Sequence, residues 1–404
     1  MKYNLCTMGL GLWIGVLTIT TEPASAAGLG DLFYHIGNDS VTITDCKPTA
    51  AGVLSVPASI NGKPVAAIGD RAFENCASLT GISLPTSIRR IGDEAFLSCS
   101  SLQDMTIPGG VLSVGTRAFW NCANLRSVIL SLSLTQLGAE AFRLCDNLDG
   151  VVIPPNIGRI EEQTFVACRN LRNVIIPNSV TNIGFAAFNS CSSLERIVLP
   201  GSVTEVGDAV FSHCRSLRSV VFAEGVTRIG YAAFYECTNL NNLTLPNSIT
   251  TIGAESFWNC RSLVCINIPG NVTNIAENAF TGCDSLTCVK FLGNAPVLKP
   301  TSFPATNIGF AFKSRVGASG FSSGLQGRAV LPELNIVFTT RGQGGAIVID
   351  TDALSTAGLK VMHARVLRGS FAEVPGVSRL PSGRLTVPLQ SGAVGFFRVV
   401  YDPS

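Results

Sequence analysis

The chain has 404 residues and a formal net charge of +2, with 46% hydrophobic and only 14% charged residues. So small a net charge argues against nucleic acid and against anionic membranes as electrostatic partners. The low charged fraction is unusual for an ordinary globular domain, and the pattern of residues has to explain it.

The first 26 residues have the pattern of a secretory signal peptide. Lys2 precedes an apolar run over residues 5–19, and Ala24, Ser25 and Ala26 supply the small residues of a cleavage site. We therefore expect the mature chain to begin at Ala27 and to be secreted or displayed at the cell surface. The apolar run is short for a membrane span and no other follows, so we predict no transmembrane segment in the mature chain. An uncleaved anchor helix is the alternative interpretation.

A repeat of 23 residues dominates the middle of the chain. A phenylalanine, a cysteine three positions later and a leucine six positions later recur together ten times without interruption. The phenylalanines are Phe73, Phe96, Phe119, Phe142, Phe165, Phe188, Phe211, Phe234, Phe257 and Phe280. One unit of this size cannot bury its own apolar face, so the units must stack into a solenoid with a continuous core.

Each unit predicts one coil of the solenoid, as the copy from Leu171 to Cys191 illustrates. Residues 171–176 alternate apolar and polar side chains and are rich in β-branched residues, which predicts a strand that Pro177 ends. Gly184 suits a turn with positive φ. The segment that follows should return as a short helix or 3₁₀ turn, with Phe188 and Cys191 pointing into the core.

The consensus LxxIxLPxxVTxIGxxAFxxCxxL resembles the leucine-rich repeats of BspA-type bacterial surface proteins. The resemblance covers residues 33–332 and implies a capping coil over 27–67, a solenoid over 68–291 and a closing segment over 292–332. It also implies non-catalytic binding or adhesion to extracellular proteins, host surfaces or other cells. The copies depart from the pattern at a few positions, with Ser131, Ala223 and Leu292 in place of proline and Glu161 and Ala276 in place of glycine. We expect these departures to relax local turns without breaking the stack.

Ten of the fourteen cysteines are the repeat cysteine, so they should form a file along the core. The pattern favours buried thiols that act as small apolar side chains over a chain of disulfides. Cys265 and Cys288 differ, because they lie 23 residues apart at an outward-facing strand position in adjacent coils. Their expected Cα separation of about 4.8 Å falls within the disulfide range, so either a bridge between them or two separate thiols fits the sequence.

The outward-facing strand position between the last two inward residues of each coil predicts the binding surface. In five successive coils it holds a β-branched apolar residue: Ile129, Val152, Ile175, Val198 and Val221. We call these five residues the apolar stripe; at about 4.8 Å per coil it is about 20 Å long. In the same coils the position after the first strand leucine alternates in charge as Arg126, Asp149, Arg172, Glu195 and Arg218. The stripe predicts a partner-binding site with this ladder as its rim, although strand propensity alone would also favour Val and Ile there.

Residues 333–404 lose the period and contain short β-rich runs between Gly, Pro and Ser turns, which predicts a small separate module of antiparallel strands. No catalytic, metal-ligand or cofactor motif occurs in a suitable context, so we expect no enzyme activity, no metal and no cofactor. The partner should be an extracellular protein or a cell-surface ligand. The alternative is a structural spacer that presents the module, which would then bind a surface or a polysaccharide. An enzyme confined to the module is a third hypothesis.

Overall fold

A computed structural model of the chain describes residues 28–299, 301–303 and 319, together with the backbone of nine strands between residues 311 and 401. The predicted fold class is confirmed, since the repeats form a parallel β-solenoid of stacked coils. Each coil has three sides, which we call the front sheet, the second sheet and the return segment. The core lies between them and runs along the stacking axis.

The front sheet contains one strand from each coil, paired in parallel at an offset of 23 residues. Apolar residues alternate with outward-facing ones, as in the exposed, buried, exposed, buried pattern of Arg196–Leu199. Hydrogen bonding divides the sheet into three parts. They comprise Gly52–Ser55, Leu79–Ser83, Asp104–Thr106, Ser127–Ile129, Gly150–Val152 and Asn173–Ile175; then Arg196–Leu199, Ser219–Phe222 and Asn242–Thr244; and finally Cys265–Ile268, Cys288–Phe291, Ala311–Ser314 and Val330–Pro332.

The second sheet consists mostly of two-residue strands, because in most coils the turn glycine directly follows the buried Ile, Val or Leu. One part contains Leu32–Ile36, Val41–Cys46, Lys63–Ile68, Arg90–Ile91, Ser113–Val114 and Gln136–Leu137, with Ser59–Ile60 as a hairpin strand. The other part contains Arg159–Ile160, Asn182–Ile183, Glu205–Val206, Arg228–Ile229, Thr251–Ile252, Asn274–Ile275 and Val297–Leu298.

The return segment is a series of turns that are hydrogen-bonded from coil to coil. In the first full coil the N–H groups of Arg71, Phe73 and Asn75 donate to carbonyls of the next coil at 2.9, 2.7 and 2.8 Å. Bonds from Cys76 N–H to the Phe73 carbonyl add the i to i+3 pattern of a 3₁₀ turn. Most coils hold two residues with left-handed φ here, such as Ala186 and Ser190, so no regular helix forms. The described residues contain one short 3₁₀ helix, Leu29–Asp31.

The phenylalanine rings stack in one column through the core. Neighbouring rings are nearly parallel, with centroids 4.9 Å apart at the start of the column and 5.6 Å apart at the widest steps. The column continues to Phe303, which stacks on Phe280 at 4.9 Å. Phe303 is thus the phenylalanine of an eleventh coil, which the sequence analysis missed.

The repeat glycines are required for close packing and not for positive φ, so that expectation for Gly184 is wrong. Gly184 is absent from the glycines with positive φ, and the left-handed residues are those of the return segment. A Cβ added to Gly138 would lie 2.4 Å from the backbone of Gly115, and one added to Gly184 would lie 2.7 Å from the Glu162 nitrogen. At Gly138 and Gly184 the backbones of adjacent coils approach so closely that an added Cβ would force one of them to shift.

Glu161 marks the place where this file of glycines is interrupted. The second sheet divides there, since Gln136–Leu137 and Arg159–Ile160 belong to different sheets. The Phe142 and Phe165 rings of the same two coils stand 5.6 Å apart. Phe188 and Phe211 stand equally far apart although their coils keep Gly184 and Gly207, so the interruption at Glu161 affects the pairing of the second sheet and not the ring spacing. The core column nevertheless continues, as expected from the sequence.

The ends of the solenoid are irregular. Leu32–Ile36 and Val41–Cys46 pair in antiparallel fashion and begin the second sheet. At the other end Ala311–Ser314 and Val330–Pro332 extend the front sheet. Further along, the described strands are Asn335–Thr339, Ala346–Asp350, Leu359–Ala364, Ala372–Glu373, Ser378–Arg379, Leu385–Pro388 and Phe396–Tyr401, all in antiparallel pairs. Most of residues 304–404 lies outside the described residues, and the predicted boundaries and module remain predictions.

Candidate partner-binding surface

The apolar stripe lies on the open face of the front sheet. Its side chains are 60% (Ile129), 58% (Val152), 60% (Ile175), 48% (Val198) and 38% (Val221) exposed. In the flanking coils the same position holds the polar and exposed Thr106 and Thr244. Side chains at equivalent positions stand one strand spacing apart, so the stripe is contiguous apolar surface bounded by polar residues.

A depression beside the stripe was not predicted from the sequence. Ser127, Gly150 and Asn173 occupy the same strand position in successive coils, and the missing side chain at Gly150 leaves a cavity of about 470 Å³. Its apolar walls are Ile129, Leu132, Val152, Pro155 and Ile175. Leu132 and Pro155 follow the strand at a position that most other copies fill with polar residues or glycine. Comparing the copies position by position would have revealed them.

The front sheet opens in the middle of the stripe. Between Asn173–Ile175 and Arg196–Leu199 the ladder is interrupted, and a second depression of about 600 Å³ lies at this opening. Val174 and Ile176 are only partly buried there, whereas the equivalent residues of neighbouring coils are fully buried. The two depressions share the wall formed by Asn173 and Ile175.

The predicted charge ladder forms at one step. Arg172 and Asp149 make an ion pair at 2.9 Å, with both side chains more than half exposed. Arg126, Glu195 and Arg218 have no ion pair within 4 Å among the described residues, so the alternation does not produce a continuous network. An exposed pair of this kind contributes at most about 1 kcal/mol.

A longer charge ladder, not predicted from the sequence, runs along the return segments. Arg71 meets Glu94 at 2.6 Å, Arg117 meets Glu140 at 2.8 Å, and Arg117 also approaches Glu94 at 3.8 Å. These residues occupy the left-handed positions of four successive coils. The alternation at 23-residue spacing is visible in the sequence and would have indicated the ladder. It stabilises coil-to-coil contacts and lies apart from the stripe.

The repeat cysteines are buried thiols with a specific hydrogen bond. From Cys99 to Cys283, each sulfur donates to the carbonyl of the phenylalanine in the preceding coil, at 3.0 to 3.3 Å. Burial raises the pKa of Cys122 and of Cys214 to about 12. Cys46, which had no predicted partner, is buried at the start of the file, where the Cys76 thiol donates to the Cys46 carbonyl at 3.9 Å. Cys265 lies directly opposite Cys288 in the parallel register, and a bridge between them remains a hypothesis.

Thiol labelling should separate these two groups of cysteines. Because a raised pKa keeps the buried thiols protonated at pH 8.5, we expect iodoacetamide to leave Cys46, Cys122 and the other repeat cysteines from Cys99 to Cys283 unlabelled in the folded protein. Cys265 and Cys288 should react, and only after reduction if they are bridged. Peptide mass mapping with and without reductant measures both. Labelling of Cys122 in the folded chain would contradict the assignment.

Other candidate features of the sequence do not form a site. The described residues contain no group of three or more His, Cys, Asp and Glu side chains arranged to hold a metal ion. Within the same residues no helix is both long and apolar enough to cross a bilayer. His213 packs edge-on against Tyr235 at 5.4 Å on the return segment, away from the stripe.

Comparison with known proteins gives one family and several solved structures. The chain matches the family described as BspA type leucine rich repeat region over residues 66–195 and 181–309, in six copies. A leucine-rich cell surface protein from Faecalibacterium prausnitzii A2-165 is 25% identical, covers 75% of this chain and 93% of its own, and gives a TM-score of 0.42. A leucine-rich repeat protein from T. pallidum is 28% identical, covers 53% of this chain and 90% of its own, and gives a TM-score of 0.40.

A leucine-rich repeat protein from Bacteroides ovatus ATCC 8483 is 26% identical, covers 71% of this chain and 93% of its own, and gives a TM-score of 0.36. Among curated proteins there is no significant match. The family match spans more than half of the chain and coincides with the coils whose geometry is described above. The chain belongs to the BspA-type leucine-rich repeat family.

Proposed function

We propose that the protein is a secreted or cell-surface leucine-rich repeat protein that binds a partner protein without catalysis, through the open face of its front sheet. The observation that carries the proposal is the apolar stripe from Ile129 to Val221, which is exposed in five successive coils and bounded by polar residues. Monomeric proteins seldom leave contiguous apolar surface exposed unless it serves an interaction. Arg126, Arg172 and Arg218 lie beside it as a polar rim.

Charge substitution within the stripe tests this proposal. In the chain from Ala27 to Ser404, Val152→Asp with Ile175→Asp should reduce retention on immobilised extracellular-matrix and cell-envelope extracts by at least tenfold, because two charges would have to be desolvated at the contact. Retention is measured by biosensor, and circular dichroism checks the fold. Both positions are exposed, so the solenoid should remain intact.

The matched control is Thr106→Asp with Thr244→Asp, which adds the same charge at the same strand position in the flanking coils. It should leave retention within about twofold of the unaltered chain. Retention that survives the stripe substitutions would overturn the proposal. Residues 333–404 would then bind the partner, and the solenoid would act as a spacer.

A further inference from the structure

The opening in the front sheet leaves backbone groups without their usual partners. At the preceding step Arg172 N–H donates to the Asp149 carbonyl at 2.8 Å, and at the following step Arg218 N–H donates to the Glu195 carbonyl at 2.8 Å. At the opening itself, the described residues contain no bond from Glu195 N–H to the Arg172 carbonyl. Both residues line the second depression. A donor and an acceptor are therefore presented together, as an extended peptide backbone requires.

The charges around the opening are mostly positive. Five successive coils carry Arg126, Arg172, Arg196 and Arg218 at these strand positions, against two acidic residues, Asp149 and Glu195. Arg172 is already paired with Asp149, whereas Arg196 lines the opening and has no ion pair among the described residues. Arginine is suited to binding a carboxylate, since its planar group presents several donors at once.

The two depressions lie at the distance that an extended peptide spans with alternate side chains. The apolar depression is centred on the coil of Gly150, and the opening lies between the coils of Asn173 and Arg196. The separation is one and a half strand spacings, about 7 Å. Residues i and i+2 of an extended chain stand about 6.6 Å apart. An apolar side chain in the first depression thus places the residue two positions along at the opening, which Arg196 lines.

We infer that the stripe binds an extended acidic peptide segment of its partner, with an apolar side chain in the Gly150 depression and a carboxylate two residues along on Arg196. The inference rests on the proposed function and specifies the chemistry of the partner. The unpaired Glu195 N–H and Arg172 carbonyl hydrogen-bond to the peptide backbone between the two side chains. The nearby Glu195 carboxylate disfavours a second acid at that backbone position.

Peptide arrays test the inference directly. The probes are octapeptides of threonine that carry Leu at position i and Asp at position i+2, with matched series in which Asp becomes Asn or Lys and Leu becomes Ser. The chain from Ala27 to Ser404 should prefer the Leu and Asp series at least fivefold over each of the others. Equal binding of the Asp, Asn and Lys series would overturn the inference.

Two variants with matched controls locate the contacts. Gly150→Asn fills the apolar depression, and Gly81→Asn makes the same change at the same strand position three coils away. Arg196→Glu reverses the charge at the opening, and Asn242→Glu places the same residue at the equivalent position two coils away. Gly150→Asn and Arg196→Glu should each weaken binding of the Leu and Asp peptides about tenfold. The controls Gly81→Asn and Asn242→Glu should leave that binding within twofold of the unaltered chain.

Arg196→Glu should also shift the preference from the Asp to the Lys series, a gain that an unfolded protein could not show. Unchanged preference in this variant would likewise overturn the inference. Retention of the stripe variants on the extracts tests the proposed function independently of the peptide arrays. If Val152→Asp with Ile175→Asp abolishes retention on the extracts while the peptide arrays show no preference for acidic peptides, the stripe is a binding site of another specificity. If retention survives those substitutions, the proposed function itself fails.

Discussion

Replacing Phe188 by alanine should lower the free energy of unfolding by about 3–5 kcal/mol. The ring is fully buried between Phe165 and Phe211, with centroids 5.3 and 5.6 Å away and planes within 7° of each other. Its removal leaves a cavity in the middle of the column, which neighbouring coils cannot fill without losing their own hydrogen bonds. Guanidinium unfolding followed by circular dichroism gives the free energy.

The same coil supplies the control. Phe185 is 51% exposed on the return side, and Phe185→Ala removes an identical side chain from the surface. That variant should change the free energy of unfolding by less than about 0.5 kcal/mol. Equal losses for Phe185→Ala and Phe188→Ala would show that the ring column is not the main source of stability.

Replacing Gly138 by alanine should cost about 2–3 kcal/mol, a large effect for one methyl group. The added Cβ would lie 2.4 Å from the Gly115 carbonyl carbon and the Thr116 nitrogen, so two coils would have to separate. Flexible side chains can move aside, but here the obstacle is backbone held by the stack.

Gly158 provides a glycine in the next coil without this constraint, since a Cβ there would meet nothing within 4 Å. Gly158→Ala should leave the free energy of unfolding within about 0.5 kcal/mol of the unaltered chain. Thermal and guanidinium unfolding of the two variants measure the difference. If the two substitutions cost the same, the glycine file reflects turn conformation and not close approach.

The 23-residue period was sufficient to predict the position of each residue within its coil. It identified the phenylalanines and cysteines as buried and the stripe as outward-facing, and the structure agrees for Phe188, Cys191 and Ile175. The period carries no information about the distance between one coil and the next. The second sheet divides beside Glu161, and neither this interruption nor those of the front sheet were predicted.

The remaining omissions have related causes. Phe303 was overlooked because its copy lacks the cysteine and leucine, with Thr306 and Gly309 in their places. The Gly150 depression was overlooked because it results from a missing side chain, at a strand position to which the sequence analysis gave no role. The role of the turn glycines was assigned from local conformation, whereas the deciding contact, between Gly138 and Gly115, is between residues 23 apart in the chain.

The direction of the hydrogen bonds in the return segment has a consequence for the growth of the molecule. In most coils three N–H groups of the return segment donate to the coil that follows, as those of Arg71, Phe73 and Asn75 do, whereas N–H groups of the front sheet such as that of Arg172 donate to the coil before. A chain emerging from the ribosome therefore always ends in a coil that is incomplete until its successor arrives. Duplicating or deleting a block of 23 residues preserves each of these bonds, so the length of the solenoid is free to change in evolution by whole coils alone.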